Sequence, residues 1–167
     1  GPRETRVFKA FQMLENGFAL ASGKTKYISF CYIHDLIEAL LLAAFEGPSN
    51  GRIYNVAGER PYEWLEFIKE MAKALGRPYR LLRLPDFLFL LWGIGGEIYT
   101  RISRRPTLFT WQKIKDFLQS SWVMDGRRIR DELGWREKET LASVMLKTAE
   151  WYLRSGWLRS SWQGRQG

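Results

Sequence analysis

The alternation of strand and helix patterns in the first half of the chain constrains the fold most. Residues 27–33 (YISFCYI) are rich in β-branched and aromatic side chains and predict a strand, and residues 35–46 open with the acid-x-x-Glu spacing of a capping box and predict a helix. A short strand is predicted at 52–56, a helix with a single apolar stripe at 64–75, and a third strand at 79–84. The order strand, helix, strand, helix, strand predicts an α/β fold.

The remaining patterns are mostly helical. Helices are predicted at residues 5–16, 107–118, 126–133 and 140–154, with a short extended piece at 122–124. The chain therefore predicts a small, mostly helical α/β lobe with a short sheet. We expect one domain over residues 1–158 and a flexible tail at 159–167, which has few residues that could join a core.

Residues 84–99 form the most apolar run. The run is interrupted by Pro85, Asp86 and three glycines, and it is shorter than the roughly 20 apolar residues that a membrane span needs. A buried or interfacial helix is therefore predicted in preference to a transmembrane one.

Charge and cysteine content limit the partners and the compartment. The net charge of +8 favours anionic partners, because fixed positive charge raises their local concentration. Cys31 is the single cysteine, which excludes an intrachain disulfide and a cysteine-based zinc site. With no signal-peptide pattern at the first residues, we expect a cytoplasmic protein.

Several segments, in the same order and spacing, are similar to stretches of one enzyme family. Residues 1–4 (GPRE) resemble the Gly-Pro-Arg that follows the last large strand of the Rossmann half in extended short-chain dehydrogenases/reductases. Residues 29–36 resemble that family's Phe-Val-His-Val-Asp-Asp-Leu segment, and residues 52–59 its Tyr-Asn-Val-Gly strand and turn. Residues 125–135 (DGRRIRDELGW) resemble its Asp-x-x-Lys/Arg-x-x-x-x-Leu-Gly-Trp pattern. The resemblance is to members of the NAD-dependent epimerase/dehydratase or 3β-hydroxysteroid dehydrogenase type.

The resemblance implies the C-terminal, substrate-binding part of an extended Rossmann-type reductase. The family's glycine-rich turn, which holds the cofactor pyrophosphate, and its catalytic Tyr-x-x-x-Lys pair both belong to the other half. No tyrosine of this chain has a lysine four residues later, and the glycines at 93–96 fall inside the apolar run. We therefore expect no catalytic or cofactor-binding residue here: NAD or NADP would bind in the full-length protein and not to this part alone.

Five residues are predicted to bind substrate. Lys24 and Lys26 lie in the loop where relatives use a basic residue to hold a phosphate or carboxylate, although solvated loop lysines would have the same pattern. Tyr32 stands where the family usually has histidine. Arg104 and Arg105 follow the apolar run, where a guanidinium could grip an anion, although a solvated basic turn would also explain them.

The predicted function is thus the substrate-binding portion of an NAD(P)-dependent epimerase, dehydratase or reductase. Its partners would be a small-molecule substrate, either a nucleotide sugar or a hydrophobic hydroxy or keto compound, and the missing N-terminal Rossmann half; a homodimer is compatible with the apolar run. The alternative is a stand-alone basic or oligomerisation module that contacts nucleic acid, an acidic membrane or a protein. The arginines at 127–130 alternate with acidic residues, which favours ion pairing over a nucleic-acid patch, and the residues favour a small-molecule ligand over a membrane surface.

Overall fold

A computed structural model describes residues 2–45, 51–103, 118 and 121–159. Within them the helices are α1 (Thr5–Glu15), α2 (Ile33–Phe45), α3 (Trp64–Leu75), α4 (Asp86–Ser103), α5 (Arg127–Leu133) and α6 (Leu141–Arg154). The strands are β1 (Phe18–Ser22), β2 (Tyr27–Ile28), β3 (Tyr62–Glu63), β4 (Arg80–Leu84) and β5 (Ser121–Trp122). The predicted α/β class, mostly helical with a short sheet, is confirmed.

The described strands form two small sheets. β1 pairs in parallel with β4, with Phe18 opposite Arg80 and Ser22 opposite Leu84. β2 lies between β3, to which it is antiparallel, and β5, to which it is parallel. Because β1 and β4 are parallel, their carboxyl ends meet at the same edge, and the loop after β1 lies beside the start of α4.

The main core forms between α1, α3 and α6. The apolar stripe predicted for α3 is confirmed, since it buries Phe67, Ile68, Met71, Ala72 and Leu75. α6 buries the predicted face of Leu141, Val144, Met145, Thr148 and Tyr152. The Tyr152 hydroxyl donates a hydrogen bond of 2.7 Å to the Glu4 carbonyl oxygen, which fastens α6 to the start of α1.

A second apolar cluster joins α2 to α5. Ala39, Ile129 and Trp135 are its buried members. The Trp135 indole donates a hydrogen bond of 3.0 Å to the carbonyl oxygen of Asp35. The Leu-Gly-Trp segment that carried part of the resemblance is thus a packing element.

Two strand predictions are wrong: one strand does not form, and the other is shorter than predicted. Residues 52–56 do not form a strand, because no other strand among the described residues pairs with them. The strand predicted at 27–33 is limited to Tyr27–Ile28, and α2 begins at Ile33 because the Leu36 amide already donates to the Tyr32 carbonyl at 2.9 Å. Asp35 is therefore a buried residue of the first turn and not the helix cap that the sequence predicted.

β1 was not predicted from the sequence, in which the first predicted strand begins at residue 27. The predicted helix at 107–118 lies outside the described residues except for Leu118, and the predicted tail lies outside them except for Arg159.

The apolar run forms α4, which is only partly buried. Phe89 is 2% exposed and packs against Leu20, whereas Phe87, Leu88 and Leu91 are exposed on the other side. The helix predicted to be buried or interfacial is thus buried on one side and exposed on the other. Across the described ranges, no helix has both the length and the hydropathy for a membrane crossing.

Candidate functional site

A small cleft of about 100 Å³ lies at the carboxyl edge of the β1–β4 pair. Residues 21–26, residues 63–65 and Arg83 line it. β1 and β4 place Arg83 directly opposite Ala21, and the loop that follows β1 supplies the two lysines. The cleft is therefore formed by a strand pair, a loop and the first turn of α3.

Three basic side chains meet at this cleft. The Lys24 ammonium is largely exposed and lies 3.5 Å from a carboxylate oxygen of Asp86, in the first turn of α4. Lys26 is only 7% exposed. Burial lowers the pKa of its ammonium below the usual value of 10.5, the charge of Lys24 lowers this pKa further, and the Asp86 carboxylate opposes both effects.

Backbone contacts fix the loop that carries the lysines. The Ser22 hydroxyl donates to the Lys24 carbonyl at 3.2 Å, and the Trp64 amide donates to the Lys26 carbonyl at 2.8 Å. The Trp64 indole donates to the Leu20 carbonyl at 3.2 Å. These contacts hold the backbone of the loop that carries the two lysines in place before any ligand arrives.

The chemistry that these residues can perform is binding. Lysine and arginine side chains attract phosphate or carboxylate oxygens, and a shared cleft allows several of them to bind one anion. The described residues contain no group of histidine, cysteine, aspartate and glutamate side chains that could hold a metal ion.

The structure brings two of the five predicted substrate-binding residues together. Lys24 and Lys26 share the cleft. Tyr32 lies in the main core, 6% exposed, with its ring centroid 5.1 Å from that of His34, and it does not line the cleft. Arg104 and Arg105 lie outside the described residues.

Sequence reasoning missed Arg83 and Trp64. Both reach the cleft because β1 pairs with β4 and packs near α3, and β1 itself was not predicted. The signal was present: residues 18–22 (FALAS) are a short apolar run bounded by Gly17 and Gly23, which is consistent with a buried strand.

The arginines at 127–130 are a second group of basic residues, and ion pairs form there, as the sequence predicted. Arg127 binds Asp125 at 2.7 Å, and the resulting hydrogen bonds lower the pKa of that carboxyl to about 2. Arg52 and Arg128 bind Glu132 at 2.8 and 3.4 Å. These arginines are engaged within the chain.

Cys31, also outside the cleft, is half-buried. Burial, with the nearby carboxylates of Asp35 and Glu137, raises the pKa of its thiol to about 11. The thiol is therefore protonated at neutral pH, and the sulfur is no ready nucleophile.

Comparison with known proteins supports the resemblance seen in the sequence, although no family model matches the chain. It is 26% identical over 160 residues to a ceramide reductase of Caulobacter vibrioides, an alignment that covers 95% of this chain and 50% of that protein. It is 25% identical to a dTDP-glucose 4,6-dehydratase of Escherichia coli, with 88% of this chain and 47% of that protein covered. The chain thus spans about half the length of these relatives.

Solved structures show the same fold. The protein gox2253 matches with a TM-score of 0.67 at 12% identity, over 95% of this chain and 48% of that one. RMD from Pseudomonas aeruginosa, complexed with NADPH, matches with a TM-score of 0.63 at 15% identity, over 92% and 46%. WbmG from Bordetella bronchiseptica, in complex with NAD and UDP, matches with a TM-score of 0.60 at 17% identity, over 93% and 41%. In sequence and in fold, this chain therefore resembles the C-terminal portion of the NAD-dependent epimerase/dehydratase type of short-chain dehydrogenase/reductase.

Proposed function

We propose that this chain is the substrate-binding portion of an NAD(P)-dependent epimerase, dehydratase or reductase, and that its basic cleft holds the phosphates of a nucleotide sugar. The observation that carries the proposal is the convergence of Lys24, Lys26 and Arg83 on one cleft. Relatives named for a nucleotide-sugar reaction and a neighbour bound to UDP support the choice of ligand.

The arrangement of the cleft suits a phosphate better than a neutral ligand. Burial lowers the pKa of the Lys26 ammonium, and an anion bound in the cleft would favour its charged form. Three cations and two carboxylates, those of Asp86 and Glu63, lie around the cleft. A phosphate group would place negative charge beside these cations, and the loop backbone, which is already tied to its neighbours, would lose little entropy on binding it.

The proposed partner is an N-terminal Rossmann half that binds NAD or NADP. The outward face of α2 exposes Ile37, Leu40, Leu41 and Phe45. Close to this helix in sequence, residues 52–56 join no sheet among the described residues. Apolar side chains next to backbone groups without a strand partner are the features that another sheet would cover. Hydride transfer would then need that half, and this portion by itself would bind substrate without turning it over.

A hydrophobic hydroxy or keto substrate is the second candidate. The similarity to a ceramide reductase and the apolar side chains exposed on α4 favour it. A neutral substrate of this kind would not need the basic cleft, so the two candidates differ in whether Lys24 and Lys26 contact the ligand.

The test is calorimetric titration of the 167-residue chain with UDP. Replacing Lys24 or Lys26 with methionine should weaken UDP binding by about tenfold or more each, as loss of a charge-assisted hydrogen bond implies. Lys69→Met removes the same charge from an exposed position of α3 and should leave the affinity unchanged. Equal losses in all three variants, or no UDP binding by the unsubstituted chain, would contradict the proposal.

A further inference from the structure

One side of α4 is an exposed apolar surface. Phe87, Leu91 and Ile94 follow one another at helical spacing and are exposed, and Leu88 extends the same surface around the helix. Leu91, at the middle of this surface, is 59% exposed. The buried side of the helix, with Phe89 packed against Leu20, accounts for its attachment to the rest of the chain and leaves the opposite side toward solvent.

Positive charge accompanies this surface. Residues 80–105 contain five arginines and two acidic residues. Among the described residues, Arg80 and Arg83 precede the apolar surface in sequence and Arg101 follows it, and all three are exposed. Lys24 pairs with Asp86 in the first turn of α4. An apolar helical face flanked by basic residues is the pattern that binds the surface of an anionic bilayer, because the apolar side chains enter the headgroup boundary while the cations attract the lipid phosphates.

α2 offers a contrast within the same chain. Its outward face is also apolar, and Leu40 is 60% exposed. However, α2 contains no lysine or arginine, its Asp35 is buried, and its Glu38 forms an ion pair with Lys138 at 2.6 Å, so this helix has no cation of its own to attract an anionic surface. The charge pattern therefore separates a face suited to a protein partner from a face suited to anionic lipid.

We propose that the exposed face of α4 docks onto an anionic lipid surface, lying in the plane of the interface. α4 does not have the character of a membrane span, which agrees with an interfacial position. The proposal goes beyond the substrate-binding role and does not rest on it. Because the Lys24–Asp86 ion pair joins the cleft to the first turn of α4, docking would bring the cleft close to the lipid surface.

The experiment is co-sedimentation of the 167-residue chain with vesicles of phosphatidylcholine alone and of phosphatidylcholine mixed with phosphatidylglycerol. The chain should bind the mixed vesicles, and binding should weaken as salt screens the arginines. Leu91→Glu should reduce the affinity for mixed vesicles by about tenfold or more, because it removes an inserted side chain and adds a repelled charge. Leu40→Glu makes the same change at an equally exposed leucine of α2 and should leave vesicle binding unchanged.

Circular dichroism of both variants establishes that each keeps the helix content of the parent chain. Three results would overturn the proposal: no binding to the mixed vesicles, equal binding to both kinds of vesicle, or equal loss in Leu91→Glu and Leu40→Glu. Concentration-dependent dimerisation that Leu91→Glu abolishes, in a chain that ignores vesicles, would assign the face to a second copy and would also overturn it.

Discussion

Lys26 illustrates, at the scale of a single residue, how a binding group can oppose stability. Its ammonium lies beside Lys24 in a position where burial lowers its pKa, and the Asp86 carboxylate offsets only part of that effect. A lysine whose pKa is lower in the folded chain than in the unfolded chain disfavours folding while it stays protonated. The free energy of unfolding therefore rises as the pH increases from the lowered pKa toward 10.5.

Lys26→Met should therefore not destabilise the chain at neutral pH, although it removes a ligand-binding group. Methionine keeps most of the side-chain volume and needs no solvation of a charge. Thermal unfolding should give a melting temperature equal to or above that of the parent chain, with a smaller increase in stability at alkaline pH. Lys69→Met serves as the exposed reference. A large fall in melting temperature for Lys26→Met alone would show that Lys26 is a structural residue and not a poised binding residue.

At the scale of the elements, residues 52–58 pack onto α5 and contribute to the second apolar cluster, which joins α2 to α5. Gly126 precedes α5, and a Cβ atom built on it would lie 2.8 Å from the Ala57 carbonyl oxygen and 3.2 Å from the Ala57 amide nitrogen. The Arg130 guanidinium donates to the carbonyls of Ala57 and Gly58, at 3.4 Å each. Residues 57 and 58 are thus held by close backbone approach and by the Arg130 hydrogen bonds, and not by strand pairing.

Gly126→Ala should destabilise the chain by about 1–3 kcal/mol, since the neighbouring group is backbone and cannot simply rotate away. Gly95→Ala is the matched substitution: a Cβ there meets nothing within 4 Å, and the residue lies inside α4. It should stabilise the chain by about 0.5–1 kcal/mol through helix propensity. Denaturant unfolding measures both. Changes of the same sign in the two variants would contradict this account of Gly126.

The elements differ in how far the sequence could predict them, for a physical reason. α3 and α6 were predicted with their buried faces because a helix satisfies its own backbone and its apolar stripe repeats locally. Residues 52–56 have strand composition but no strand partner in the described chain, and strand formation depends on a partner that the local sequence does not specify. β1 was missed although its five-residue apolar run is consistent with a buried strand, because so short a run does not establish a strand without knowledge of its partner β4.

At the scale of the whole molecule, the basic residues that give the net charge of +8 have different surroundings in different regions. Around α5, Arg52, Arg127 and Arg128 form ion pairs with Asp125 and Glu132. At the cleft, Lys24, Lys26 and Arg83 line one small space, which makes this region suited to an anion. The apolar faces of α2 and α4 then distinguish the side proposed to meet the Rossmann half from the side proposed to meet lipid.

The site was only partly predictable from the sequence, because it depends, as the strands do, on contacts between segments that are distant in the chain. Lys24 and Lys26 are two residues apart in sequence and were predicted through the resemblance to known enzymes. Arg83 joins them through the pairing of Ala21 with Arg83, a contact between segments far apart in the chain. Tyr32, predicted by the same resemblance, lies in the core, because α2 begins directly after it.

The central claim is that the cleft beside β1 and β4 is where this chain holds a phosphate-bearing ligand. Nitrogen–proton correlation spectra of the chain, recorded during a titration with UDP, locate the binding site directly. We predict the largest shifts for the Trp64 indole and for the amides of residues 22–26, with the amides of Arg127–Leu133 unaffected. Shifts concentrated in Arg127–Leu133, or an unchanged spectrum for residues 22–26, would contradict the claim.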